Sequence, residues 1–147
     1  MKIIITGTNG QVGHALVGAL TNHEVISVNR KQCDLINQDQ ILRMIDSYQP
    51  DLIINPAAYT KVDQAEDEPE LAFKINADAP KLIAKKALEC HIPFIHFSTD
   101  LVFDGKKKSP YCESDSTNPL GVYGASKLAG EEAILKVGGQ AYIFRTS

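Results

Sequence analysis

Short apolar runs alternate along this chain with longer segments in which apolar residues recur every three or four positions. Lys2–Thr6, built on Ile3-Ile4-Ile5, is too short and too uniformly apolar for an amphipathic helix and reads as a buried strand. Gln11–Thr21 carries Val12, Leu16 and Leu20 at spacings of four and reads as a helix. Glu24–Val28 is a second strand. Gln38–Tyr48 has helical spacing through Ile41, Leu42 and Ile45, with Pro50 marking its end. Asp51–Asn55 is a third strand, and Asp63-Gln64-Ala65-Glu66 starts a short helical turn. Pro69–His91 carries a long helical pattern that Pro80 kinks or divides. Pro93–Ser98 is a fourth strand, Asp104–Pro119 a polar loop, Val122–Val137 a helix stopped by Gly138-Gly139, and Gln140–Arg145 a fifth strand.

Strands alternating with helices predict an α/β fold, a doubly wound parallel sheet of the Rossmann-like, NAD(P)-binding kind, covered on both faces. The chain of 147 residues suits one domain, residues 1–147, and 44% apolar content is enough for a real core. The doubly wound dinucleotide fold has six strands and five are counted here. The expectation is therefore a portion of a longer enzyme type, truncated before its substrate-binding part. An open edge on the fifth strand, or an uncovered apolar face, then predicts self-association or a homo-oligomer.

Charge narrows the partners. A net charge of −3 leaves no basic footprint for nucleic acid, and Lys106-Lys107-Lys108 between Gly105 and Ser109-Pro110 reads as a solvated loop. Cys33, Cys90 and Cys112 form no CxxC pair, which fits a reducing compartment rather than a disulfide framework. His14, His23, His91 and His96 show no metal-ligand spacing, and no metal is expected; His96, inside an apolar run, reads as a packed core residue. Ile3-Ile4-Ile5 is too short for a signal peptide and nothing approaches transmembrane length, so the expectation is a soluble, cytoplasmic protein with no membrane partner.

Gly7-Thr8-Asn9-Gly10-Gln11-Val12-Gly13 lies between the first strand and the first helix. It is a Gly-x-x-Gly-x-x-Gly relative of the dinucleotide fingerprint. The first glycine permits the tight turn, the second lets the backbone approach a pyrophosphate, and the third lets helix and strand pack closely. The helix N-terminus offers N–H groups and a positive dipole end to the anion. An acid at the end of the second strand would bind a free ribose 2′-hydroxyl and favour NAD. Here Asn29-Arg30-Lys31 stands there, and cations without an acid point to NADP, with NADPH preferred over NADH without excluding it. Asp34-Leu35 is placed to flank the adenine, and the small residues of Ala57-Ala58-Tyr59 let a cofactor pass the sheet edge.

Tyr123 and Lys127 are four apart in a predicted helix and share a face. A free phenol has a pKa of about 10 and is a poor acid or base at neutral pH. A neighbouring ammonium is expected to lower it, so that Tyr123 exchanges a proton with a carbonyl oxygen. Thr99, at the end of the fourth strand, can donate its hydroxyl to the same oxygen. Glycine loop, Thr99 and the Tyr–Lys pair together point to carbonyl reduction by a nicotinamide cofactor, with Lys127 also reaching the ribose hydroxyls.

Thr6–Gly13, Asn55–Glu66, Ser98–Gly105, Pro110–Asp115, Asn118–Glu131 and the ending Phe144-Arg145-Thr146-Ser147 resemble the extended short-chain dehydrogenase/reductases, and within them the dTDP-4-dehydrorhamnose reductase family. The resemblance implies NAD(P)H-dependent reduction of the 4-keto group of dTDP-4-dehydro-L-rhamnose to dTDP-L-rhamnose, a precursor of cell-surface polysaccharide. It implies catalytic roles for Thr99, Tyr123 and Lys127, pyrophosphate contacts at Gly10-Gln11-Val12, cofactor contacts at Ala57-Ala58-Tyr59, and the sugar at Thr99-Asp100. Pro56, Leu101 and Gly121 depart from the family's usual Ala, Tyr and Asn. A family C-terminal part that builds most of the sugar-nucleotide pocket is not in this sequence, so this chain alone is expected to bind cofactor. The alternative is a non-catalytic nucleotide-binding protein, resembling the regulatory subunit of methionine adenosyltransferase. A binder of S-adenosylmethionine would explain the glycine loop but not the Thr–Tyr–Lys set.

Overall fold

The computed structural model describes residues 1–147. Five strands, β1 (Lys2–Thr6), β2 (Glu24–Val28), β3 (Leu52–Asn55), β4 (Phe94–Thr99) and β5 (Ala141–Thr146), form one sheet in the order β2-β1-β3-β4-β5. Every neighbouring pair is parallel, so all five C-terminal ends lie at one edge. The predicted class and strand count hold. In this order β2 is an edge strand, and the chain crosses back over β1 to make β3. The reversal beside β1 creates a switch point between β1 and β3, where ligands of open α/β sheets bind.

The helices are α1 (Gln11–Ala19), α2 (Gln38–Tyr48), α3 (Val62–Asp67), α4 (Pro69–Phe73), α5 (Ala79–Glu89) and α6 (Val122–Val137). Period-two alternation in the strands divides the core between two faces. Ile4, Ile53 and Phe94 pack with Ile41 and Ile45 of α2, Ile83 and Ala87 of α5, and Ile134 of α6. Ile3, Ile5 and Ile54 face the other way, onto Leu16, Val17 and Leu20 of α1. Only α1 covers that second face. Beyond its reach Ile95 and Phe97 are partly buried, while Tyr142 and Phe144, their β5 partners, are 56% and 53% exposed.

The predicted long helix 69–91 is present as α4 and α5 joined by a π-helical turn, Lys74–Asp78. Pro80 follows at once. Proline has no N–H for the preceding turn and its ring crowds the carbonyl four residues back, so the ladder widens ahead of it. No helix is long and apolar enough to cross a membrane.

Candidate active site

The turn after β1 shows why glycines stand there. Gly7 has φ +59°, and a Cβ on it would lie 2.8 Å from the Ala57 Cα. A Cβ on Gly13 would lie 2.5 Å from the Gly7 carbonyl oxygen, so α1 leaves the strand at backbone contact. The first intrahelical bond of α1 runs from the His14 N–H to the Gly10 carbonyl at 2.9 Å. The N–H groups of Gln11, Val12 and Gly13 therefore point out of the helix end, and Gly10 supplies no side-chain cap. This backbone cradle fits the pyrophosphate of a dinucleotide.

A cleft of about 550 Å³ opens from this turn along the C-terminal edge. It is lined by Gly7, Asn9 and Gly10 after β1, by Arg30, Asp34 and Leu35 after β2, and by Ala57, Ala58 and Tyr59 after β3. Nine of the predicted cofactor residues thus share one cavity, although they come from three segments of the chain. Gln11, Val12, Gly13, Tyr123 and Lys127 lie outside its lining. Arg30 is exposed, and its Nε donates to Asp34 Oδ2 at 3.3 Å, which leaves the terminal amino groups of the guanidinium free of that bond. Cys33 is buried in the same wall, and burial, then Asp34, push its thiol pKa up.

The Tyr59 wall is held from behind. Asn76 in the π-helical turn accepts from the Tyr59 N–H at 2.8 Å and donates to the Tyr59 carbonyl at 3.1 Å. Its amide also donates to Ser126 Oγ on α6 at 2.9 Å, and Ser126 donates to the Tyr123 carbonyl at 2.7 Å. One fully buried Asn ties the cofactor wall to the helix that carries Tyr123 and Lys127. The Tyr59 phenol donates to Glu68 at 2.6 Å, and burial, then that carboxylate, push it up to about 12.

Thr99 is buried at the end of β4, where its hydroxyl bonds to Asp100 Oδ1 at 3.2 Å and accepts from the Leu101 N–H at 3.2 Å. Tyr123 is half-buried in the first turn of α6, with the Thr99 hydroxyl beside its phenol. The sequence expectation for its acidity is not met. Burial raises the Tyr123 pKa, the Asp100 charge adds to the rise, and Thr99 opposes it. Lys127 contributes nothing to lower it, because its ammonium turns down onto the sheet. Nζ donates to the Phe97 carbonyl at 2.6 Å and lies 3.3 Å from His96 Nε2. Lys127 is 2% exposed, and burial brings its pKa down to about 8 against a raising influence of Glu131. Glu131 in turn is clamped by Arg145 of β5 at 2.6 Å.

Sequence reasoning passed over Asn55, Asn76 and Glu66 here; it read His96 as a packed core residue, which its full burial bears out, but not its partners. Asn55, Asn76 and His96 are buried polar groups whose partners lie 17 to 50 positions away. Glu66 of α3 is another: its Oε1 accepts the first N–H of α6, from Val122, at 2.7 Å. Gly121 at the N-cap has no side chain to do so. The available signal for Asn55 was a polar residue closing the apolar run of β3, as His96 interrupts that of β4.

Comparison with known proteins gives a consistent result. The family model described as the RmlD substrate binding domain matches residues 1–147. The chain is 43% identical to a dTDP-4-dehydrorhamnose reductase of Burkholderia thailandensis, over 100% of this chain and 50% of that protein. It superposes on a crystal structure of dTDP-4-dehydrorhamnose reductase from Bacillus anthracis in complex with NADP, with TM-score 0.95 and 37% identity, covering 99% of this chain and 53% of the other. A Clostridium acetobutylicum ortholog structure gives TM-score 0.96 at 40% identity, over 100% and 53%. The chain therefore spans about half the length of the curated relatives it matches.

Proposed function

The chain belongs to the RmlD substrate binding domain family, and from that membership we propose that it carries the cofactor-binding and proton-donating part of an NADPH-dependent reductase. The substrate is the 4-keto group of dTDP-4-dehydro-L-rhamnose and the product dTDP-L-rhamnose, a precursor for cell-surface polysaccharide. Residues 1–147 make one NAD(P)-binding unit, to whose dTDP-sugar site this chain contributes Thr99 and Asp100.

One observation carries the reading. The lysine of α6, Lys127, is buried with its ammonium against β4, one helical turn from a half-buried tyrosine that meets Thr99, beside a cleft walled by the glycine turn. Burying an ammonium costs free energy, and a protein that only bound a nucleotide would have no use for it there. The bound cofactor supplies hydride to the ketone carbon. The chain's own residues do the rest. Thr99 donates a hydrogen bond to the ketone oxygen. Tyr123, whose raised pKa keeps it protonated at neutral pH, passes its proton to that oxygen as the C–O double bond becomes single. Lys127 would offer a proton of its buried ammonium to the cofactor's ribose hydroxyls.

The N–H groups of Gln11, Val12 and Gly13 would hold the pyrophosphate, Asp34 and Leu35 the adenine, and Arg30 a 2′-phosphate. A cytoplasmic setting fits a reaction between a soluble nucleotide cofactor and a nucleotide sugar. The apolar face of Ile95, Phe97, Tyr142 and Phe144, in which Phe97 and Phe144 stack at 5.9 Å, supports self-association. Light scattering showing a monomer at high concentration would exclude that pairing. Calorimetric titration with NADPH and with NADH tests the cofactor reading. Both are expected to bind, NADPH more tightly, with the gap narrowed several-fold in Arg30→Ala. Binding of neither would overturn it.

A further inference from the structure

A row of four buried polar side chains crosses the sheet beneath the site, from β1 to α6. Thr6 Oγ1 meets Asn55 Oδ1 at 2.5 Å, the Asn55 amide meets His96 Nδ1 at 3.1 Å, and His96 Nε2 meets Lys127 Nζ at 3.3 Å. Thr6, Asn55 and His96 are at most 1% exposed. Groups this deep must satisfy one another, and each donor or acceptor choice constrains the next.

Lysine's ammonium has three donors and no acceptor. The Phe97 carbonyl takes one proton. Nε2 can take a second only if it carries no proton itself. Burial, then the adjacent ammonium, hold His96 neutral by pushing its pKa well below the ordinary value. A neutral imidazole has one proton, so with Nε2 accepting, that proton is on Nδ1. Nδ1–H needs an acceptor, and the group facing it is the Asn55 amide, which must then present oxygen to His96 and nitrogen to Thr6. Amide oxygen and nitrogen are exchanged by a half-turn that moves no other atom. The hydroxyl of Thr6 accepts as readily as it donates, so the row loses no bond by running this way. With the amide nitrogen toward Nδ1 instead, the imidazole proton would sit on Nε2 and two donors would face each other.

We propose that His96 is a positioning residue for Lys127: set in its Nδ1–H tautomer by Asn55 and Thr6, it takes one lysine proton while the Phe97 carbonyl takes another, so that the third is the one Lys127 offers to a ribose hydroxyl. This rests on the assignment of Lys127 to the reductase site. The other charged groups acting here are Glu131 on the same helix, Arg145 of β5 bound to it, and Asp100 beyond β4, which acts on Tyr123.

Two NMR measurements on the 147-residue chain test it. Long-range ¹⁵N–¹H correlation at pH 7 is expected to show His96 as the Nδ1–H tautomer; an Nε2–H tautomer beside a charged Lys127 would overturn the proposal. The ¹⁵Nζ titration of Lys127 is expected at a midpoint of about 8 in the parent chain and about one pH unit lower in His96→Leu. His96→Gln, whose carbonyl oxygen can take the place of Nε2, is expected to restore it to within about a third of a unit. A midpoint unmoved by His96→Leu also overturns it. Should His96→Leu not fold, the tautomer and the His96→Gln titration decide. The tautomer and midpoints as expected, in a chain that binds neither NADPH nor NADH, would sink the functional reading and leave the His96–Lys127 coupling standing.

Discussion

The two ends of the site are built on opposite terms. The cleft between β1, β2 and β3 is walled by the glycine turn and the small Ala57 and Ala58, and its charged lining groups, Arg30, Asp34, Lys61 and Glu68, are exposed or partly exposed. At the β4–α6 end the same sheet edge is dry, with a lysine, a histidine and a glutamate each at most 2% exposed. The first end needs donors fixed in space, which a tight turn and a helix terminus supply at little cost in desolvation. The second needs shifted acidities, which only burial beside specific partners provides.

The widest gap between the two ends should appear in Tyr123→Phe. Removing the proton donor is expected to lower kcat by about 10²–10⁴-fold, read by steady-state kinetics with a family C-terminal part joined to the chain, and to leave the chain's NADPH affinity within a few-fold, read by calorimetry. Loss of affinity in step with kcat would mean that the two ends are not separable. Gly7→Ala strikes the other end. It forces a side chain into φ +59° against Ala57, and is expected to cost about 2 kcal/mol or more in denaturant unfolding together with at least tenfold in NADPH affinity.

Lys127 gives a test in pH. Its folded pKa, about 8, is below the unfolded value of 10.5. Between these the unfolded chain binds more protons, so this group's contribution to stability rises as pH goes from about 8 to 10.5, and its penalty is complete below 8. Lys127→Met should remove that rise and stabilise the chain at pH 7 by about 1–2 kcal/mol, the lost penalty exceeding the cost of leaving His96 and the Phe97 carbonyl without their donor. A destabilised Met variant would mean that the lysine holds the fold rather than serving the chemistry. The smallest effect is expected at Glu66→Ala, which uncaps α6 and should lower stability by about 1 kcal/mol, with Glu66→Gln retaining most of it. Equal losses in both would assign the contribution to charge and not to the Val122 hydrogen bond.

What could be read from sequence follows the same division. Strands β1 to β5 and helices α2 and α6 fall within a residue of their predicted places, because Ile-rich runs and three-to-four spacing are local signals. The glycine turn was legible for the same reason: its conformational demand is met by the residue that bears it. The orientation of Lys127 was not. Spacing puts Lys127 on one helical face with Tyr123, but whether its head group turns up to the phenol or down to Phe97 and His96 depends on β4, thirty positions earlier. Likewise the Glu66 cap joins residues 56 apart, and no window along the chain contains both.

The π-helical turn at Lys74–Asp78 amounts to one residue too many in an otherwise regular rod. Upstream of it Leu71 and Ala72, and within it Ile75, face Tyr59 and α6; downstream, Ala79, Ile83 and Ala87 face the sheet. An uninterrupted α-helix advances 100° per residue and would hold both stripes to a single phase. The surplus residue acts as a phase shifter, so that one rod presents two differently aimed apolar faces. Single-residue deletion in this turn would therefore not shorten the rod so much as misaim half of it, and the tolerance of this segment to length change should be far lower than its helical character implies.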